Sequence, residues 1–171
     1  YVDKDGDGWR DMPDGKPLLL EYATSPSAAD RELNEVWKKS MTAAGIKIVF
    51  KTAKWPENLK SARAGKVMMW GLGNSASSPD GGSFLDFGYG PQRYEGNLAA
   101  FQNDEYDKLF RQQVVLPDGP ERLAIMKKMV KILVAYMPYK FNTHRIRTDM
   151  VQPWLLGYRR HPTSRAFWRY V

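Results

Sequence analysis

Strand-like and helix-like segments alternate through the first seventy residues of this sequence. Residues 17–24 hold a run of leucines and a tyrosine, residues 46–52 alternate apolar and charged side chains, and residues 67–70 are consecutively apolar, as in a strand covered on both faces. Helical patterns over residues 28–44 and 55–64 separate these three segments. Because strands joined through helices pair in parallel, the pattern predicts an α/β fold with a largely parallel sheet flanked by helices.

The first predicted helix has the clearest boundaries. The segment Ser25-Pro26-Ser27 offers a serine N-cap, and Gly45 can adopt the left-handed conformation that ends a helix. Between them, apolar and small side chains recur at intervals of three and four residues, which predicts one face packed against a core. The residues on this face are Leu33, Val36, Trp37, Ser40, Met41 and Ala44.

Helix signals return after a long segment rich in Gly, Ser and Pro that ends near Gly96. Asn103 and Asp104 can cap a helix that carries Tyr106, Leu109, Phe110 and Val114. The segment Asp118-Gly119-Pro120-Glu121 can begin another that reaches Met137. Residues 139–143 resemble one more strand, and the arginine- and aromatic-rich remainder lacks a clear periodicity.

The basic charge raises the question of a nucleic-acid partner, since the chain has 26 Lys and Arg against 19 Asp and Glu. These basic residues are dispersed along the chain instead of forming one stripe interleaved with aromatic residues. We therefore predict no nucleic-acid binding.

Recognisable catalytic motifs are also missing from the sequence. It contains no cysteine and two histidines, and neither a nucleophile-elbow serine motif nor a helical HExxH zinc motif is present. We therefore predict that the protein is not an enzyme.

An aspartate-rich loop near the first residue follows the spacing of a calcium loop. Oxygen ligands at alternate positions can surround this hard cation, and a glycine allows the sharp turn. Positions 1, 3, 5, 6, 9 and 12 are Asp3, Asp5, Asp7, Gly8, Asp11 and Asp14. We treat Asp3, Asp5, Asp7 and Asp11 as candidate calcium ligands; the alternative is a turn stabilised by aspartate side chains. No other cofactor is predicted.

A candidate binding segment follows the third predicted strand. Trp70 ends this strand, and Gly71 and Gly73 would let a ligand approach the backbone. Ligands of open α/β sheets bind at the carboxyl ends of the strands, which is where this segment begins. A flexible loop without a binding role is the alternative.

Several short motifs, taken in order along nearly the whole chain, resemble family 5 extracellular solute-binding proteins of bacterial ABC importers. This family includes the oligopeptide-, dipeptide- and nickel-type receptors. The matching motifs are Tyr1 to Gly8, Pro13 to Leu18, Trp70-Gly71, Ser78-Pro79-Asp80, Phe84-Leu85, Trp154 and Gly157-Tyr158.

The resemblance implies a periplasmic-binding-protein-like lobe of type II, with a mixed, largely parallel sheet. Residues 1–143 would form part of the second, C-terminal lobe, and residues 144–171 would cross back to the first lobe. Such a protein captures a peptide-like or other small polar solute in the cleft between its lobes and delivers it to an ABC permease at the inner membrane. It would be a monomer, periplasmic or extracellular and membrane-associated. The alternative function is a structural or adhesion module stabilised by calcium.

The resemblance also implies a set of solute contacts: Trp70, Gly71, Gly73, Asn74, Ser75 and Asp80. In peptide-binding members, an aspartate shortly after the tryptophan that matches Trp70 holds the α-ammonium group of the peptide. This chain has Gly73 at about that position, and the neighbouring Asn74 offers only a neutral acceptor. A peptide with a free amino terminus is therefore a less suitable solute.

Overall fold

The computed structural model describes residues 1–75, 80–140, 146 and 148–160. The chain divides into two compact units, Tyr1–Gly73 and Asn74–Val171. The boundary predicted at residue 144 stays a prediction, because residues 141–145 lie outside the described part of the chain.

A three-stranded parallel sheet organises the first unit. Its strands are β1 (Leu19–Thr24), β2 (Lys47–Thr52) and β3 (Met69–Trp70). The order is β2-β1-β3, and both pairings are parallel, as the alternating pattern predicts. All six residues of β1 pair with β2, whereas β3 pairs only with Tyr22 and Ala23. The third strand is thus shorter than the apolar run that predicted it.

Two helices connect the strands, α1 (Ala28–Ala43) and α2 (Trp55–Arg63). The predicted cap of α1 is confirmed, since the Ser27 hydroxyl accepts a hydrogen bond of 3.0 Å from the amide of Asp30. Gly45 and Gly65 follow the two helices with φ angles of +69° and +67°. The amides of each glycine and of the next residue donate back to carbonyls in the last turn. These are Schellman motifs, which end each helix and direct the chain into the following strand segment.

The helices cover opposite faces of the sheet. Tyr22 of β1 stacks on Trp37 of α1, with ring centroids 6.3 Å apart. Trp70 pairs in register with Ala23, the neighbour of Tyr22, so its side chain is on the other face, where it contacts Trp55 at the start of α2. This arrangement agrees with right-handed crossovers between the strands.

The packing of α1 differs from the prediction. Trp37 is half-buried as expected, but Leu33 and Val36 are 51% and 63% exposed. The helical period correctly identified an apolar face, yet this face is wider than the area that the sheet covers.

The second unit packs helices against irregular turns. Two 3₁₀ segments (Gly82–Gly88 and Gly90–Gln92) precede α3 (Asp104–Val114) and α4 (Pro120–Tyr136). Asn103 caps α3 as predicted, with its side-chain oxygen 2.8 Å from the amide of Tyr106. The buried core consists of Leu85, Tyr106, Phe110, Met126, Met129 and Leu133.

One buried hydrogen bond joins the 3₁₀ segment to α3. The Tyr106 hydroxyl donates to the carbonyl of Leu85 over 2.7 Å. Burial raises the pKa of Tyr106 above its ordinary range, so the phenol keeps its proton and remains a donor. Of the strand predicted at residues 139–143, only Tyr139 and Lys140 are described, and neither is in a strand.

Candidate functional site

Two tryptophans meet at the carboxyl edge of the sheet. Trp70 ends β3, and Trp55 follows the end of β2 at the first position of α2. Their ring centroids are 4.8 Å apart at an interplanar angle of 42°. Trp55 is 48% exposed, and Trp70 is half-buried, so the pair offers an aromatic surface to solvent. Trp70 was predicted from the sequence as a candidate contact, whereas Trp55 was not. The position of Trp55 shortly after the end of a predicted strand could have identified it.

Gly71 lies directly after the tryptophan pair and is exposed. A Cβ atom at this position would be 2.3 Å from the hydroxyl oxygen of Tyr22, closer than two nonbonded heavy atoms can approach. Burial raises the pKa of Tyr22, which therefore remains a neutral phenol. The glycine thus allows the backbone to pass close to Tyr22 at an exposed position.

The three residues predicted next along the segment are also exposed. A Cβ on Gly73 would have no heavy atom within 4 Å, so open space surrounds it. The side-chain oxygen of Asn74 accepts a hydrogen bond of 2.8 Å from the amide of Ser75. Trp70, Gly71 and Gly73 belong to the first compact unit, whereas Asn74, Ser75 and Asp80 belong to the second.

Asp80 has a protein partner. Its carboxylate forms an ion pair with Arg122 at 2.5 Å, and it also accepts a hydrogen bond of 3.1 Å from the amide of Gly82. The hydrogen bond to Asp80 is the main reason that the pKa of Arg122 is raised. Asp80, which was predicted to contact the solute, therefore forms an ion pair within the second unit.

The aspartate-rich loop brings three of its four candidate calcium ligands together. Carboxylate oxygens of Asp3, Asp5 and Asp11 lie within 4.8 Å of one another, whereas Asp7 is not part of this group. Asp3 accepts hydrogen bonds from the amides of Gly6 and Gly8 at 2.7 and 2.9 Å, and Asp7 accepts from Trp9 at 2.8 Å. These backbone donors hold the pKa of Asp3 below its usual range.

Asp11 is the buried member of the aspartate group. Its carboxylate accepts a hydrogen bond of 2.9 Å from the amide of Lys4. The loop is therefore organised by turns between carboxylates and backbone amides, the alternative that the sequence left open. Calcium binding at this loop stays a prediction.

Comparison with known proteins places the fold among bacterial solute-binding proteins. The chain is 23% identical over 151 residues to di/tripeptide-binding protein 2 of Pseudomonas aeruginosa (strain UCBPP-PA14), a match that covers 86% of this chain and 28% of that protein. No family model matches the chain. The chain thus spans about 28% of the length of this relative.

Solved structures give the same answer for the fold. The oligopeptide-binding protein AppA from Bacillus subtilis, in complex with a nonapeptide, matches with a TM-score of 0.70 and 22% identity over 81% of this chain and 28% of that one. An oligopeptide-binding protein from Thermotoga maritima with bound mannohexaose matches with a TM-score of 0.68 and 21% identity over 81% and 27%.

These matches confirm the resemblance to family 5 solute-binding proteins and the type II periplasmic-binding-protein fold. The chain has an α/β structure in which parallel strands are flanked by helices, as in that fold. Among the described residues, no helix is both long and apolar enough to cross a membrane.

The contact between Gly71 and Tyr22 predicts a specific pattern of stabilities. Gly71→Ala should lower the free energy of unfolding by about 1–3 kcal/mol, because the new methyl group overlaps the Tyr22 hydroxyl. In a Tyr22→Phe background the nearest remaining ring atom is 3.5 Å away, an ordinary contact. The same alanine should then cost under about 1 kcal/mol. Denaturant unfolding of the four proteins measures both values; equal losses in the two backgrounds would contradict the contact.

Proposed function

We propose that this chain forms part of the substrate-binding component of an ABC importer, which captures a peptide-like or other small polar solute and delivers it to a membrane permease. The observation that carries the proposal is the similarity, in sequence to a di/tripeptide-binding protein and in fold to oligopeptide-binding proteins. The role needs binding and release without chemical change, so no catalysis is part of the proposal.

The solute contacts are proposed at the carboxyl edge of the sheet. Trp55 and Trp70 supply an aromatic surface, and the exposed Gly71 has no side chain between its backbone and a solute. Asn74, four positions after Trp70 in the sequence, adds a neutral amide. Apolar contact with a few convergent hydrogen-bonding groups is typical of sites for small solutes.

The chemistry of these groups favours a solute without a strong positive charge at this position. Gly73 replaces the aspartate that the family resemblance leads one to expect, so the ionic part of α-ammonium recognition is missing there. Main-chain hydrogen bonds and aromatic stacking suit a peptide backbone, and they suit a sugar ring equally well. The bound mannohexaose in the Thermotoga maritima protein makes the second class worth testing.

Residues beyond the second unit's helices support the proposed crossing to a first lobe. Ile146, Met150, Trp154 and Leu156 are each at least 76% exposed. Exposed apolar side chains at this density favour burial against another surface. We propose that residues 144–171 pack on the first lobe of a monomeric receptor, in the periplasm or at the outer side of the membrane.

The proposal predicts that Trp70 is needed for binding. Trp70→Ala should weaken solute binding about thirtyfold, because a central aromatic contact typically contributes about 2 kcal/mol. Trp70→Phe should retain most of the affinity, since a ring remains to pack on Trp55. Isothermal titration with N-acetyl-tri-alanine, whose amino terminus carries no charge, and with mannohexaose measures the effect on protein purified from its host.

A matched control separates binding from folding. Val115 is exposed in the turn between α3 and α4, and Val115→Ala should change neither affinity nor the unfolding midpoint. Unfolding midpoints are recorded for each variant. Unchanged affinity in a folded Trp70→Ala protein would remove Trp70 from the proposed site.

The clustering of Asp3, Asp5 and Asp11 favours calcium binding as a second candidate property. Calcium bound to the folded protein alone should raise its melting temperature in proportion to the logarithm of the calcium concentration. Asp3→Asn should reduce this rise, whereas Asp118→Asn, which removes an exposed carboxylate outside the loop, should leave it. A melting temperature that is the same in calcium and in chelator would contradict calcium binding.

A further inference from the structure

Arg122, in the first turn of α4, connects three separate segments of the second unit. One terminal nitrogen donates to Asp80 and to Asp118, each at 2.5 Å. The Nε group donates to both the main-chain and the side-chain oxygen of Gln113, each at 3.2 Å. The guanidinium thus connects Asp80, two residues before the 3₁₀ segment, to the end of α3 and the start of α4.

The two carboxylate partners of Arg122 lie in different environments. The side chain of Arg122 is 16% exposed and that of Asp80 is 31% exposed, whereas Asp118 is 86% exposed. Solvent screens the pair with Asp118 and screens the pair with Asp80 much less. Gln113 is buried, so its oxygens give the guanidinium a fixed position. The link to Asp80 is therefore the stronger of the two.

Asp80 stands at a junction along the chain. On one side, Ser75, the last residue of the predicted binding segment, lies five positions earlier in the sequence. On the other side, the 3₁₀ segment begins at Gly82, and its Leu85 side chain lies in the core. The Tyr106 hydroxyl donates a hydrogen bond to the Leu85 carbonyl. Five residues span at most about 18 Å, so an anchored Asp80 limits the region that Ser75 and Asn74 can reach.

We propose that Arg122 is a positioning residue for solute binding, and that Asp80 acts through Arg122 instead of contacting the solute. The ion pair restricts the binding segment before the solute arrives, which reduces the conformational entropy that binding removes. This inference rests on the proposed function and assigns Asp80 a different part in it. The Asp118 pair serves as an internal control, because it involves the same arginine and does not hold the segment.

Hydrogen exchange on the solute-free protein tests the anchor without reference to binding. Arg122→Gln and Asp80→Asn should each speed exchange of the hydrogen-bonded amides of Ser75, Gly82 and Phe84 by about fivefold or more. Arg122→Lys keeps a charge for Asp80 and should give a smaller increase, while Asp118→Asn should change exchange under about twofold. If Arg122→Gln changes these amides no more than Asp118→Asn does, the anchor is contradicted.

Titration with N-acetyl-tri-alanine and with mannohexaose then tests the link to binding. Arg122→Gln and Asp80→Asn should each weaken the affinity for the bound probe by about three- to tenfold. The double variant should lose no more affinity than either single variant, because both changes break the same ion pair. Arg122→Lys should lose less. A loss in Asp80→Asn with unchanged affinity in Arg122→Gln would make Asp80 a direct contact and overturn the inference. Faster exchange with unchanged affinity in both variants would show that the ion pair is structural only and would contradict its role in solute binding. A wild-type protein that carries and binds no solute, yet shows the exchange pattern, would contradict the proposed function while supporting the restraint of Asp80 by Arg122.

Discussion

The first unit depends on the pairing of β1 with strands on both of its sides. All six of its residues pair with β2, and Tyr22 and Ala23 also pair with β3. Because all three strands run in parallel, their carboxyl ends lie at one edge. The segments that leave this edge carry Trp55, Trp70 and Gly71, so one set of backbone hydrogen bonds positions the candidate site.

Local signals were sufficient to predict most of the elements. The Ser27 cap and the Gly45 stop are short-range interactions between a side chain or amide and the backbone of the same helix, and the sequence displays both partners within a few residues. The Asn103 cap is of the same kind. The fold class followed from the alternation of such elements, since strands linked through helices have few parallel arrangements.

Interactions between distant residues could not be predicted in this way. The pair of Trp55 with Trp70 joins residues 15 positions apart, and the ion pair of Asp80 with Arg122 joins residues 42 positions apart. No periodicity identifies such partners. The exposed positions of Leu33 and Val36 were missed for a related reason, because a helical pattern marks an apolar face and leaves the area covering it undetermined. The sequence therefore predicted the candidate segment, whereas the partner that Asp80 has in Arg122 became known only from the structure.

The proposed solute site consists of neutral and aromatic groups at the sheet edge. There we propose that Trp55 and Trp70 provide contact area and that the backbone at Gly71 provides hydrogen bonds, while Gly73 lacks the charge that would select an α-ammonium group. A solute that binds the closed form of a two-lobed receptor more tightly than the open form increases the population of the closed form, which a permease can recognise. Such a receptor gains selectivity from the few polar groups that meet the solute and affinity from the area it covers.

The central claim is that this protein binds a small polar solute, and native mass spectrometry of the protein purified gently from its host tests it most directly. The account predicts a complex heavier than the protein by the mass of one defined small molecule, with that species lost in the Trp70→Ala protein and kept in the Val115→Ala protein. A folded protein that carries no small molecule, and that binds none when peptides and oligosaccharides are added, would contradict the account.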